Sequence, residues 1–146
     1  MATLGHVVLY VRELARSLAF YRDMVGLDVV GEIFAGQAAM LSGGATHHEL
    51  LLIQVGDAPG PLAGRRLGLY HIGWKIGDDL NALRALHARL QTAGYAIDGT
   101  ADHTVSQSIY LRDPDGNELE LYVDDAGVDW RRDRSWMEAP VKPLRW

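Results

Sequence analysis

The 146-residue chain contains no cysteine. That absence removes disulfides, thiolate zinc sites and thiol nucleophiles together, and it agrees with a reducing, cytoplasmic setting. Long apolar runs are also missing. No stretch approaches the roughly 20 residues that span a bilayer, so no membrane role is expected. The opening MATLGHVVLYVREL lacks the basic-then-apolar order of a signal peptide. Positive charge is scarce, with 14 Lys and Arg against 19 Asp and Glu and a net charge of −5. A nucleic-acid partner needs a concentrated basic surface. The one locally basic stretch, Arg131-Arg132-Asp133-Arg134, is broken by an acid and flanked by Trp130 and Trp136, and reads as packing or salt bridging. Three catalytic signatures are absent as well. There is no HExxH and no glycine-flanked nucleophilic serine, and Leu41-Ser42-Gly43-Gly44 has neither the helix nor the lysine of a phosphate loop.

What is present is an α+β pattern written twice. Gly5–Val11 reads as a strand, and Glu13–Tyr21 as a helix with Leu14, Leu18 and Tyr21 at helical spacing, closed by Gly26. Strand-like runs follow at Leu27–Ile33, Gln37–Leu41 and Glu49–Val55. The second copy opens with the strand Tyr70–Ile76. Asp78 or Asp79 caps a helix whose face is Leu80, Leu83, Leu86 and Leu90, and Gly94 closes it. Its strands are Ala96 to about Gly99, Val105–Leu111 and Glu118–Val123, the last two joined by the turn Arg112-Asp113-Pro114-Asp115-Gly116. The expected organisation is therefore one domain over residues 1–124, built of βαβββ modules 1–56 and 69–124. A Gly- and Pro-rich connector spans 57–68. A tail, 125–146, carries Trp130, Trp136 and Trp146, which favour packing on the domain or a partner.

Histidines and one acid stand out on this frame. His6 and His71 occupy the same place in the two copies, and Glu120 lies on a strand where Glu118, Glu120 and Tyr122 share a face. Two imidazoles and a carboxylate with other positions open suit a non-haem iron(II) centre. An inward-facing acid also needs a cation or hydrogen bonds. His87 sits on the polar side of its helix and reads as a surface residue. His47 and His48 read either as a solvated strand entrance or as a source of an interior imidazole, with His48 sharing the face of Leu50, Leu52 and Gln54 on strand alternation. Tyr110 shares a face with Ser108 and reads either as core packing or as a phenolic donor near Glu120. His103 lies at a strand entrance, suited to the rim of a site.

The segments GHVVLYVRELARSLAFYRDMVGL, YHIGWKI and YLRDPDGNELELYV resemble the vicinal oxygen chelate superfamily over about Leu4 to Asp124. The resemblance implies a cupped, partly closed mixed sheet around a divalent metal held by His6, His71 and Glu120. Glyoxalase I-like members add a Glu where this chain is matched by Gln54, which cannot act as a carboxylate base. Extradiol, catechol 2,3-dioxygenase-like members pair the same triad with a His in a segment like His47-His48-Glu49-Leu50. They also carry a Tyr ten residues before the ligand Glu, as Tyr110 is before Glu120, and a further His before that Tyr, nearest to His103 at a slightly different offset. Many of them are twice this length, with only the second domain catalytic.

The expected function is thus an Fe(II)-dependent extradiol dioxygenase, with Mn(II) as a substitute metal. It would act on a small aromatic diol and O2 in aromatic hydrocarbon catabolism, with His48, Tyr110 and His103 serving catalysis. Two alternatives stand beside it. One is a non-catalytic binder of aromatic ligands or antibiotics, as in bleomycin resistance. The other is a glyoxalase-like isomerase, which requires Gln54 or Glu49 to complete the site. A homodimer is expected to cover exposed sheet edges, and the halves pair either within one chain or between subunits.

Overall fold

The structure, a computed structural model, describes the whole chain, Met1–Trp146. Its elements are β1 (Val7–Val11), α1 (Leu14–Phe20) continued by a π-helical turn (Tyr21–Val25), β2 (Asp28–Ile33), β3 (Ala38–Ser42) and β4 (Leu50–Gln54). Then come β5 (His71–Gly77), α2 (Leu80–Thr92), β6 (Ile97–Asp102), β7 (Ser106–Arg112), β8 (Glu118–Asp124) and a short 3₁₀ turn (Ser135–Met137). Residues 55–70 form no regular element. The order βαβββ occurs twice, and each copy builds a four-stranded mixed sheet, ordered β1-β4-β3-β2 and β5-β8-β7-β6. In both, the first and last strands run parallel and the other pairs antiparallel. Neither sheet closes into a barrel. No helix is long and apolar enough to cross a membrane.

Two compact units result: Met1–Ala63 with Asp113–Gly116, and Gly64–Arg112 with Asn117–Trp146. In unit 1, α1 packs on β3 and β4. The covered face holds Leu9, Val11, Ala39, Leu41, Leu50 and Leu52, all buried. The opposite face of β1 carries the exposed Val8 and Tyr10, and His6 belongs to this face by strand alternation. The helix differs from its expected form. Ser17, rather than Leu18, is fully buried, and the widened turn after Phe20 brings Phe20, Tyr21 and Val25 inward together. Gly26, at φ +93°, closes that turn as its N–H and that of Leu27 donate to the Tyr21 carbonyl. Tyr21 Oη donates to the buried Asp113 carboxylate at 2.8 Å. Arg12 N donates to Asp115 Oδ2 at 3.0 Å, and the Arg16 guanidinium reaches the Pro114 carbonyl.

In unit 2, α2 packs on β5, β7 and β8 through Leu83, Leu86 and Leu90. These meet Ile109, Leu111, Leu119, Leu121 and Val123 on the sheet. Each fully buried leucine contributes about 1.5–3 kcal/mol. Asp79, not Asp78, caps the helix, with Oδ1 accepting from Ala82 N at 2.9 Å. Asp78 instead pairs with Lys75. Gly77 lets the strand meet the helix, since a Cβ there would lie 2.6 Å from the Ala82 Cβ. The tail contributes an antiparallel bridge from Lys142 to Asp102 and sets Trp146 against His87. With α2 covering one face, strand alternation leaves His71, Gly73, Ser108, Tyr110, Arg112, Glu118, Glu120 and Tyr122 on the other.

Candidate active site

The uncovered face of unit 2 gathers most of the chemistry. Tyr110 on β7 stands directly opposite Glu120 on β8, and Ser108 lies one pleat along the same strand. Ser108 Oγ donates to Glu120 Oε1 at 2.6 Å, and Tyr110 Oη donates to the same oxygen at 2.9 Å. The other oxygen, Oε2, faces His71 Nε2 at 3.1 Å. A tight loop ending β6, with Thr104 at φ +71° and its N–H on Asp102 Oδ1, turns His103 back over the sheet. His103 Nε2 lies 2.5 Å from Tyr110 Oη and 3.7 Å from Glu120 Oε1. Since the phenol gives its one proton to Glu120, Nε2 is the donor in the His103–Tyr110 contact.

Burial, then the hydrogen bond to Glu120 and its charge, push the Tyr110 phenol up to about 12. It therefore stays a protonated donor at neutral pH. Tyr122 lays its ring near Gly73, and burial followed by the charges of Asp124 and Glu120 raises its phenol too.

Metal fit rests on the donor set. Oε1 is held by two donors, which leaves Oε2, 3.1 Å from His71 Nε2, as the carboxylate oxygen without a hydroxyl donor. One carboxylate oxygen and one imidazole nitrogen suit a divalent first-row ion. His71 Nδ1 is buried and unpartnered, so no neighbouring group fixes the ring's tautomer from behind. In neither unit do three or more His, Asp or Glu side chains stand arranged to hold an ion.

Unit 1 holds three histidines, His6, His47 and His48. The ring of His6, just before β1, lies 4.6 Å from that of His48, and His47 Nδ1 is 2.5 Å from His48 Nδ1. Burial first, then the charges of His47 and His6, hold the His48 imidazole below its usual value, so it is neutral at pH 7. His48 does not share the face of Leu50 and Leu52, as alternation implied. It precedes β4 in a turn where Thr46 Oγ1 accepts from His48 N and donates to its carbonyl, while both leucines are buried on the helix-covered side.

The two residues that the isomerase alternative requires have other partners. Gln54 pairs in register with Val11, on the face covered by α1, and its Oε1 accepts from Leu14 N at 2.8 Å. It caps a helix and is turned away from the His6 side. On that side β4 offers Leu51, paired with Val8, and Ile53, paired with Tyr10. Glu49 is committed to its loop, accepting from the N–H groups of Gly43, Ala45 and Thr46. Burial pushes its carboxyl up, but these bonds together outweigh it and hold the group below its ordinary range.

Thus unit 2 brings together His71, Glu120, Tyr110 and His103, and unit 1 brings together His6 and His48. Ser108 is the contributor that sequence reasoning left without a role, although its place beside Tyr110 on the strand facing Glu120 was the available signal.

A family model described as the glyoxalase/bleomycin resistance protein/dioxygenase superfamily matches residues 3–121. The chain is 38% identical over 132 residues to catechol-2,3-dioxygenase of Bacillus subtilis (strain 168), covering 90% of this chain and 45% of that one. It is 32% identical over 124 residues to biphenyl-2,3-diol 1,2-dioxygenase 3 of Rhodococcus globerulus, covering 83% and 63%. The chain spans about half the length of these curated relatives. Among solved structures it is similar to lactoylglutathione lyase from Agrobacterium tumefaciens, with a TM-score of 0.62 and 26% identity over 84% of this chain and 94% of that one.

Proposed function

From the premise that the chain belongs to the glyoxalase/bleomycin resistance protein/dioxygenase superfamily, we propose that it is an extradiol dioxygenase that opens the ring of a catechol-type diol with O2. The observation that carries this reading is the cluster on the uncovered face of unit 2, where Glu120 is paired with His71 and attended by Ser108, Tyr110 and His103. The names of the two curated relatives support it. Fe(II), with Mn(II) as a substitute, would be held by His71 and Glu120 with His6 as the third ligand. When bound, the ion supplies a centre at which a diol and O2 are brought together.

The protein's own groups then have distinct tasks. Ser108 keeps Glu120 Oε1 satisfied, so the carboxylate stays oriented with Oε2 outward. Tyr110 donates a hydrogen bond to Glu120 in the substrate-free protein. Because Ser108 can hold that oxygen alone, the phenol is free to swing to a substrate oxygen. His103 donates to the Tyr110 oxygen and fixes where the phenol points. His48, neutral at pH 7, is the base that accepts a proton as the diol ionises. Both oxygen atoms enter the ring-opened semialdehyde or keto acid, so no outside reductant is consumed.

The isomerase reading loses its residues. The His6 side of β4 presents Leu51 and Ile53, Gln54 caps α1, and Glu49 is held by three backbone donors. The test is oxygen uptake by anaerobically Fe(II)-loaded protein given a panel of catechols. Equimolar uptake with a yellow ring-opened product is expected, and no uptake with any catechol sinks the proposal.

A further inference from the structure

Within unit 2 a cleft of about 260 Å³ runs from Tyr70, His71 and Tyr110 to Asp98, Arg112 and Glu118. Arg112 is the one cationic side chain among the residues lining it, and it is already taken from two sides. Arg112 and Glu118 face each other across β7 and β8, with Nη2 2.8 Å from Glu118 Oε1. Arg112 Nε lies 3.3 Å from Asp98 Oδ2. The second contact is made by a β-bulge. Ile97 pairs with Leu111 and Gly99 with Tyr110, so Asp98 is the extra residue, a device that re-aims a side chain. Gly99, next along, leaves open space where a side chain would stand.

The wall of the cleft therefore holds two carboxylates to one guanidinium, within the same pocket as His71 and Tyr110. A ring substituent entering this space meets an excess of negative charge and a guanidinium whose charge is already paired by Asp98 and Glu118. A carboxylate there faces like charge with no free cation, an arrangement that discriminates by repulsion. A protonated amine meets two carboxylates with lone pairs to spare.

Resting on the reading of the site given above, we propose that this wall selects by charge, so that the diol taken by the protein bears a neutral or cationic substituent and carboxylated catechols are turned away. Anaerobic calorimetric titration of the Mn(II)-loaded protein with 4-methylcatechol, dopamine and 3,4-dihydroxyphenylacetate reads the order without turnover. Comparison of kcat/KM on the Fe(II)-loaded protein reads it again. The anionic catechol is expected to bind about tenfold or more weakly than the neutral one, with dopamine equal to or tighter than the neutral one. In Asp98→Asn/Glu118→Gln, which frees Arg112, the anionic catechol should gain about tenfold over wild type while the neutral one changes little. Equal or tighter binding of dihydroxyphenylacetate by the wild-type protein overturns the proposal. The expected binding order without oxygen uptake keeps the charge selection and removes the dioxygenase reading. Failure to bind any of the three removes both.

Discussion

Replacing Ser108 by alanine perturbs the candidate site while disturbing little else. Ser108 is fully buried, and its hydroxyl is 2.6 Å from Glu120 Oε1, the oxygen that also accepts from Tyr110. Ser108→Ala removes one oxygen atom and leaves no large cavity. The carboxylate loses its shorter bond and keeps only the 2.9 Å one from Tyr110, so Oε2 is held less firmly toward His71. A hydrogen bond to a charged group contributes about 1.5–3 kcal/mol. Partners that orient a metal-binding side chain alter metal affinity about 10–100-fold, or about 1.4–2.7 kcal/mol. The two magnitudes agree. Anaerobic Mn(II) or Fe(II) titration of Ser108→Ala should give a dissociation constant raised by one to two orders of magnitude, and the metal-free protein should lose about 1.5–3 kcal/mol in urea titration. Because both donors serve one oxygen, Ser108→Ala and Tyr110→Phe should be non-additive, with a coupling of at least about 0.5 kcal/mol in a double-mutant cycle. Metal affinity of Ser108→Ala within about threefold of wild type refutes the reasoning, since an orienting partner costs more than that.

Tyr21→Phe deprives the buried Asp113 of a donor and should destabilise the protein by about 1.5–3 kcal/mol in urea titration; a change under about 0.5 kcal/mol would mean the bond carries little. Gly77→Ala forces a Cβ against Ala82 and should lose about 1–3 kcal/mol, most of it restored by adding Ala82→Gly; an equally unstable double variant contradicts the clash. Glu49 is held below its ordinary range in the folded state, so its stabilisation is complete above the unfolded carboxyl range and fades as pH falls through the folded value. Wild type should therefore lose more stability between neutral pH and about pH 3 than Glu49→Gln does, and parallel curves would exclude this role.

How far the sequence could be read depended on whether a strand's two faces differ in polarity. In β8, Glu118, Leu119, Glu120, Leu121 and Tyr122 alternate, so the polar face was visible, and the turn at Pro114-Asp115-Gly116 set Tyr110 opposite Glu120. In β4, Leu50, Leu51, Leu52 and Ile53 form an unbroken apolar run. Nothing in that run says which face the helix covers, so Gln54, which shares the face of Leu50 and Leu52 as alternation implies, carries no mark that this face is the one α1 covers. His48 failed for a related reason, because period-two alternation does not extend through the turn that Glu49 holds together. His103 was legible only as a rim residue, since the positive φ of Thr104 that folds it back onto Tyr110 has no glycine to mark it. In α1, helical spacing points to Leu18, but the helix turns Leu14, Ser17 and Phe20 inward, and only beyond Phe20 does the π-helical turn bring Tyr21 and Val25 in as well. The repeated module itself was clear because α2 has a strong leucine face, and each helix closes on a glycine in the left-handed region, Gly26 and Gly94.

The central proposal is that His71 and Glu120 would hold a divalent metal, with His6 as the expected third ligand. Its most direct test is metal retention after anaerobic Fe(II) loading and desalting, for wild type and for His6→Ala, His71→Ala and Glu120→Ala. His87→Ala serves as the control, because His87 lies on α2 against Trp146. Wild type and His87→Ala should retain stoichiometric iron, and the other three should lose it. Stoichiometric iron in His71→Ala or Glu120→Ala would contradict the account, and stoichiometric iron in His6→Ala would contradict the third ligand.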